Sequence, residues 1–200
     1  IKKLYGVKCL SLKNGISEKI LRFKKKKYFN FKYIIYSGSY KYLPNKLAID
    51  FLVKSLMPKL LKKNPNLKLV LTGGGYNEEY NFLINVGTVS KQKLLNLISC
   101  SKMMVVPLEK GTGTRIKIIE ALLIGAKVLS TKKGVEGILL KKNDKVHVEK
   151  KRNFYQYLSK NLNKNYKNKV SKRLLKIYIM EKIVKEFLEN KYVQNFFKTI

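Results

Sequence analysis

Between Tyr33 and Val148 short apolar runs alternate with stretches whose apolar residues recur at helical spacing, and glycines punctuate the changes. This alternation restricts the fold more than any other feature of the chain. The short runs read as strands and the amphipathic stretches as the helices between them. Strands are predicted over 32–37, closed by Gly38; over 68–72, stopped by Gly73-Gly74-Gly75; over a shorter segment ending at Val86-Gly87; over 103–106, ending at Pro107; and over 127–130. Helices are predicted over 45–63, 91–98 and 114–124. In the first, Ala48, Phe51, Leu52, Ser55, Leu56 and Leu60 share a face, and Pro58 should kink it. Such an order predicts an α/β fold: a Rossmann-like parallel sheet with right-handed crossovers and helices on both faces. Ligands of these sheets lie beyond the carboxyl ends of the strands. The loops 38–45, 72–76, 86–90 and 107–114 are therefore the candidate site.

The flanks divide the chain into 1–32, 33–150 and 151–200. The first carries a strand with Val7, Leu10 and Leu12, a turn at Asn14-Gly15 and a basic linker with Lys24–Lys27 as a solvated run. The last is helical, with Val170, Leu174, Ile177, Met180, Val184 and Phe187 as one stripe that packs on its own domain or a neighbouring one.

A formal charge of +32 on 200 residues raises the question of a nucleic-acid partner. The cations argue against it. Arg occurs only at 22, 115, 152 and 173, the lysines are spread along the whole chain, and bidentate recognition of phosphates and bases favours Arg. A basic face resting on anionic lipid is the better use for such a surface. Cys9 and Cys100 lie far apart without a CxxC or a neighbouring His, so neither a disulfide framework nor a zinc site is indicated. With no signal peptide and no run long enough to span a bilayer, the expected location is cytoplasmic, compatible with a peripheral contact at the cytoplasmic membrane face.

The residues that carry chemistry lie between Pro107 and Ala121. Gly111 and Gly113 let the backbone approach a ligand without Cβ interference. Thr114 is placed to cap a helix, which exposes the unpaired N–H groups of its first turn. Arg115 and Lys117 then fall at an end that already carries partial positive charge and normally prefers Asp or Glu. A dianion seated there removes the repulsion, and a diphosphate fits; the alternative is that both side chains point into water. Glu120 is the sole charge in the apolar run 118–124. It must be paired or hydrogen-bonded, either by accepting two hydroxyls of a ribose or by pairing with Lys117 at i, i−3.

Weaker signals surround this segment. Gly38-Ser39 closes the first strand and offers a second seat for phosphate oxygens. The triplet Gly73-Gly74-Gly75 is not a dinucleotide fingerprint and shows only a tight turn. His147 stands alone. Asp50 and Asp144 are the only aspartates, so no DxD pair exists to hold a divalent metal across a diphosphate.

The run from Gly111 to Gly137, GTGTRIKIIEALLIGAKVLSTKKGVEG, resembles the signature of group 1 (family 4-like) glycosyltransferases of the GT-B fold. The segment Ser37–Asn45 with Ala48-Ile49 and Pro58, and Leu69–Gly74, resemble the opening of that family's C-terminal donor domain. Leu12–Gly15 resembles its inter-domain strand and turn, and Glu181–Tyr192 its closing helix. The resemblance implies a nucleoside-diphosphate sugar as donor, an acceptor (glycan, lipid-linked glycan or small molecule) held by an N-terminal domain, neither metal nor cofactor, and retention of anomeric configuration. Residue by residue, it implies that Arg115 and Lys117 neutralise the leaving diphosphate and that Glu120 binds the ribose. Gly111, Thr112, Gly113 and Thr114 would face sugar and phosphates, Gly38 and Ser39 the diphosphate, and Val86 and Gly87 the base.

The chain also departs from the family. Thr112 stands where many members have a Glu eight residues before the position of Glu120, which alters the contacts to the donor sugar. The Arg and Lys that many members carry after the first strand are missing from 38–45, which leaves Arg115 and Lys117 more of the phosphate. Lys127 replaces a frequent Pro. With no initiator Met and no acceptor domain in the sequence, the expectation is part of a longer protein that is inactive alone. Two other classes stay open on this reading: a nucleotide-sugar epimerase on the same scaffold, and a basic module binding nucleic acid or lipid.

Overall fold

The structure is a computed structural model and describes residues 14–141, 144–164, 170, 172–191 and 193–194. The expected strand with Val7, Leu10 and Leu12 lies outside them, as does Cys9. Six parallel strands form one sheet: β1 (Tyr33–Ser37), β2 (Lys68–Thr72), β3 (Leu83–Asn85), β4 (Met103–Val106), β5 (Val128–Ser130) and β6 (Val146–Val148), in the order β3-β2-β1-β4-β5-β6. Strands β1 and β4 are buried at every residue, as strands covered on both faces must be. The helices are α1 (Leu43–Asp50), α2 (Met57–Leu61), α3 (Lys91–Cys100), α4 (Ile116–Leu123), α5 (Phe154–Asn161), α6 (Lys172–Tyr178) and α7 (Met180–Leu188). A short 3₁₀ helix, Glu18–Arg22, precedes β1.

The chain winds from β1 outward to β3, returns through α3 to β4, and continues to β6. The order therefore reverses between β1 and β4, and beyond the carboxyl ends of strands at such a switch point ligands of these sheets bind. Both loops that flank this point, 38–45 and 107–115, contain motif glycines.

Two expectations need correcting, the end of β3 and the C-terminal stripe, and two features were unforeseen. Strand β3 ends at Asn85, so Val86 and Gly87 begin the loop instead of closing the strand. Strand β6 was not predicted: Val-His-Val is three residues of partly exposed edge, too short to register as an apolar run. At Pro58 the helix continues through an irregular turn. Pro58 has no N–H to donate, and the preceding turns, Phe51–Leu56, widen to a π-helix in which Met57 N–H reaches Leu52 O, five residues back. The C-terminal stripe is not continuous. Ile179 leaves the helix and forms a parallel bridge with Ile16, with Ile16 N–H to Tyr178 O at 2.7 Å and Met180 N–H to Ile16 O at 2.9 Å. The register shifts there, so Leu174, Tyr178, Ile179 and Ile183 are buried while Met180 and Val184 face outward.

Hydrogen bonds knit together the loops at the carboxyl edge. Gly38 N–H donates to Thr72 O (2.8 Å), Tyr40 N–H to Gly74 O (3.0 Å), and Gly73 N–H to Gly87 O (2.8 Å). Gly73 has φ +114°, and a Cβ there would lie 2.5 Å from the carbonyl carbon of Gly38. Gly73→Ala should therefore destabilise the protein by about 2 kcal/mol or more through backbone strain and overlap. Urea unfolding reads this as a lower midpoint at unchanged slope; an unchanged midpoint would mean that the two loops do not touch.

Candidate functional site

On the β1 side of the switch point the polypeptide is held by Asn45. Tyr36 donates its hydroxyl to Asn45 Oδ1 (2.7 Å), and Asn45 Nδ2 donates to Ser39 O (3.0 Å). A Cβ on Gly38 would sit 2.7 Å from Asn45 Cγ, so only glycine allows this clasp. On the β4 side, Thr131 donates its hydroxyl to Leu108 O and accepts from Gly134 N–H (3.1 Å), which braces the start of the glycine loop from beneath. The two sides meet at Gly111, where a Cβ would lie 3.1 Å from Tyr42 Oη and 3.2 Å from Pro44 Cγ. Gly111 and Gly113 both have positive φ, +100° and +82°.

The cap of helix α4 lies one residue later than predicted. Arg115, not Thr114, occupies the cap position, and no side chain caps the first turn. Thr114 instead packs on the following loop, its Oγ1 3.1 Å from where a Cβ on Gly137 would be. Arg115 turns back over the loop: Nη1 donates to the carbonyls of Thr112 and Gly113, while Nη2 is buried without a hydrogen-bond partner. Two loop carbonyls thus answer part of the charge that the sequence left unanswered, and one donor remains over. Lys117, in the first turn, is half-buried and makes no ion pair among the described residues. Burial pulls its ammonium below the ordinary lysine range; Glu120 opposes that shift and Lys91 adds to it.

Glu120 is only 3% exposed. Its partner is Lys91, the first residue of α3, whose Nζ donates to Oε1. The pairing with Lys117 allowed by spacing does not form. Oε2 is buried and has no partner. Glu120 borders a cavity of ≈ 630 Å³ between α3, α4 and the 3₁₀ helix, with Ser17, Lys19, Gln92 and Ile116 also on its wall. Nothing in the sequence marked Lys91 or Gln92 as site residues, because their link to Glu120 crosses 29 positions and no local periodicity reports it.

Val86 and Gly87 lie at the same edge, beyond β3. Gly87 has φ +61°, donates to Asn85 Oδ1 (3.1 Å), and would meet nothing within 4 Å if it bore a Cβ. His147 is elsewhere, stacked on Tyr157 with ring centroids 3.8 Å apart.

The family model described as glycosyl transferases group 1 matches residues 31–164. No curated protein matches the sequence. Among solved structures, HepE of Anabaena, crystallised with UDP and glucose, aligns with a TM-score of 0.68 at 13% identity, over 89% of this chain and 55% of its own. Sucrose-phosphate synthase of Thermosynechococcus elongatus aligns with a TM-score of 0.65 at 16% identity, over 94% of this chain and 53% of its own. The C-terminal domain of a group 1 glycosyl transferase, LpcC, of Francisella tularensis aligns with a TM-score of 0.55 at 14% identity, over 89% of this chain and 98% of its own. The chain thus spans about half the length of the first two structures.

The Lys91–Glu120 pair makes its own prediction. Lys91→Met strands a buried carboxylate and should cost about 2 kcal/mol, below the full penalty of a buried pair because Lys91 itself is well exposed. Adding Glu120→Gln in the same chain should recover most of that loss in a urea titration. Equal stability of Lys91→Met and wild type would show that the pair contributes nothing.

Proposed function

The chain belongs to the group 1 glycosyl transferases, and from that premise we propose that its residues 33–150 are the donor-binding domain of an enzyme that transfers a sugar from a nucleoside-diphosphate sugar to an acceptor. One observation carries the reading. Arg115 Nη2, a charged donor at the cap of α4, and Glu120 Oε2, a charged acceptor little more than one turn further on, are both buried without partners. Unpaired buried polar atoms are costly, so a ligand that supplies an anion to one and hydroxyls to the other is the fitting occupant. A nucleoside diphosphate offers both, through its phosphates and its ribose.

In this arrangement the diphosphate lies between the loops of Gly38-Ser39 and Gly111–Thr114, against Arg115 and Lys117. The ribose hydroxyls donate to Glu120 Oε2, and the base extends toward Val86 and Gly87. Thr112 faces the sugar. Transfer breaks the bond between the anomeric carbon and the diphosphate oxygen and forms one from that carbon to an acceptor hydroxyl. The departing diphosphate gains negative charge, which the two cations meet in place of a divalent ion. Donors fixed before the reaction stabilise that charge without reorganising. The acceptor would be held by another part of the protein, and the outcome would be retention of configuration. The fold shared with HepE, crystallised with UDP and glucose, supports the choice of ligand class.

Thermal unfolding with a panel of nucleoside mono- and diphosphates and nucleotide sugars tests this. A diphosphate at a hundredfold excess over its Kd should stabilise the chain by ~2.7 kcal/mol. Arg115→Ala and Glu120→Ala should each abolish most of the shift, the first for every diphosphate and the second only for ribose-bearing ligands. No stabilisation by any diphosphate, or variants stabilised as much as wild type, would sink the assignment. Turnover of a nucleotide sugar without acceptor would point instead to an epimerase.

A further inference from the structure

The amino edge of the sheet carries a second concentration of positive charge. A lysine immediately precedes four adjacent strands: Lys32 before β1, Lys102 before β4, Lys127 before β5 and Lys145 before β6. Backbone hydrogen bonds set them side by side. Lys102 N–H donates to Tyr33 O (2.8 Å), Met104 N–H to Lys127 O (2.9 Å) and Val128 N–H to Lys145 O (3.0 Å). Neighbouring strands lie ~4.8 Å apart, so the row is about 14 Å long. The 44 basic residues include four Arg, which leaves 40 lysines in 200 positions. Composition alone would therefore place about one lysine in these four positions, and the row is not explained by abundance.

Helix ends add to it. Lys63, beyond α2, joins Lys32 and Lys102 around a cavity of ≈ 380 Å³ whose wall also carries Asn64, Asn66 and Asn163. Among the described residues none of these three lysines makes a salt bridge. Burial above all pushes the Lys127 ammonium down to about 8, and the neighbouring Lys102, Lys145 and Lys164 add to the shift. Cys100, two residues before Lys102, donates through Sγ to Lys26 O (3.4 Å), which draws the exposed run Lys24–Lys27 alongside.

We propose that this amino edge is a docking surface for an anionic lipid bilayer, with a headgroup phosphate seated among Lys32, Lys63 and Lys102. The shape of the charge favours this occupant. An extended row of ammonium groups suits a diffuse plane of phosphates, whereas nucleic-acid recognition relies on the bidentate forks of Arg. None of Arg22, Arg115, Arg152 and Arg173 belongs to the row or lines the cavity. Docking by this edge leaves the far ends of the strands open to solvent. The proposal does not depend on what binds there.

The test is co-sedimentation of the full chain with vesicles of phosphatidylcholine alone or mixed with an equal part of phosphatidylglycerol, at physiological ionic strength. One variant carries Lys32→Gln, Lys63→Gln and Lys102→Gln. A control carries Lys172→Gln, Lys176→Gln and Lys182→Gln, exposed lysines of α6 and α7 with the same change in net charge. Each lysine at an anionic surface is worth about fivefold in affinity, so the edge variant should bind mixed vesicles about 100-fold more weakly. The control should lose no more than about threefold, by the weaker long-range term. Melting midpoints of both variants should match wild type or exceed it, since repulsion is removed. Equal losses in the two variants would show a generic effect of net charge and overturn the site. So would the absence of binding to mixed vesicles, equal binding to phosphatidylcholine alone, or displacement of the vesicles by duplex DNA through the same three lysines.

Discussion

The start of α4 is an electrostatic problem that the protein solves only in part. A helix presents partial positive charge at its first turn, and this one adds a guanidinium at the cap and an ammonium two residues on. The loop carbonyls of Thr112 and Gly113 take one nitrogen of Arg115, and Lys91 takes one oxygen of Glu120. Each side chain is left with one buried atom unpaired. The glycine loop, its brace at Thr131 and Gly134, and the contact of Gly111 with Tyr42 and Pro44 fix these groups where the sheet order reverses. Pre-set donors hold an anion better than mobile ones, because they need no further ordering when it arrives.

Much of this was legible in the sequence, and the failures have physical causes. Strands β1, β2 and β4 stand out because a strand covered on both faces is an unbroken apolar run. Strand β6 does not, since its three residues, one of them a His stacked on Tyr157, look like loop. Arg115, Lys117 and Glu120 stand out because each breaks a local rule about charge. Thr114 has the chemistry of a cap, yet the loop geometry of Gly111 and Gly113 gives that position to Arg115, and local preference cannot rank two neighbours. That Lys91 would pair with Glu120 was not foreseen, for a different reason. Spacing along one helix offers Lys117, but a carboxylate that points between two helices is answered by whichever cation the other helix brings. The tail failed likewise: its periodic stripe assumed one register, which the bridge between Ile16 and Ile179 interrupts.

Charge divides the domain into two poles. At the carboxyl edge few charges are held close, oriented by a cap position, a buried pair and a set of glycines. At the amino edge lysines are aligned by strand register and lie further apart. The first arrangement suits a compact ligand with several functional groups; the second suits an extended anionic surface. A parallel sheet makes this separation natural, since all its strands begin on one side and end on the other.

A crystal structure of the chain with UDP tests the central claim most directly. The account predicts the diphosphate within hydrogen-bond distance of Arg115 Nη2, with Lys117 beside it and Glu120 Oε2 accepting from a ribose hydroxyl, so that both buried atoms lose their isolation. A nucleotide bound away from the start of α4, with those two atoms still unpaired, would contradict it.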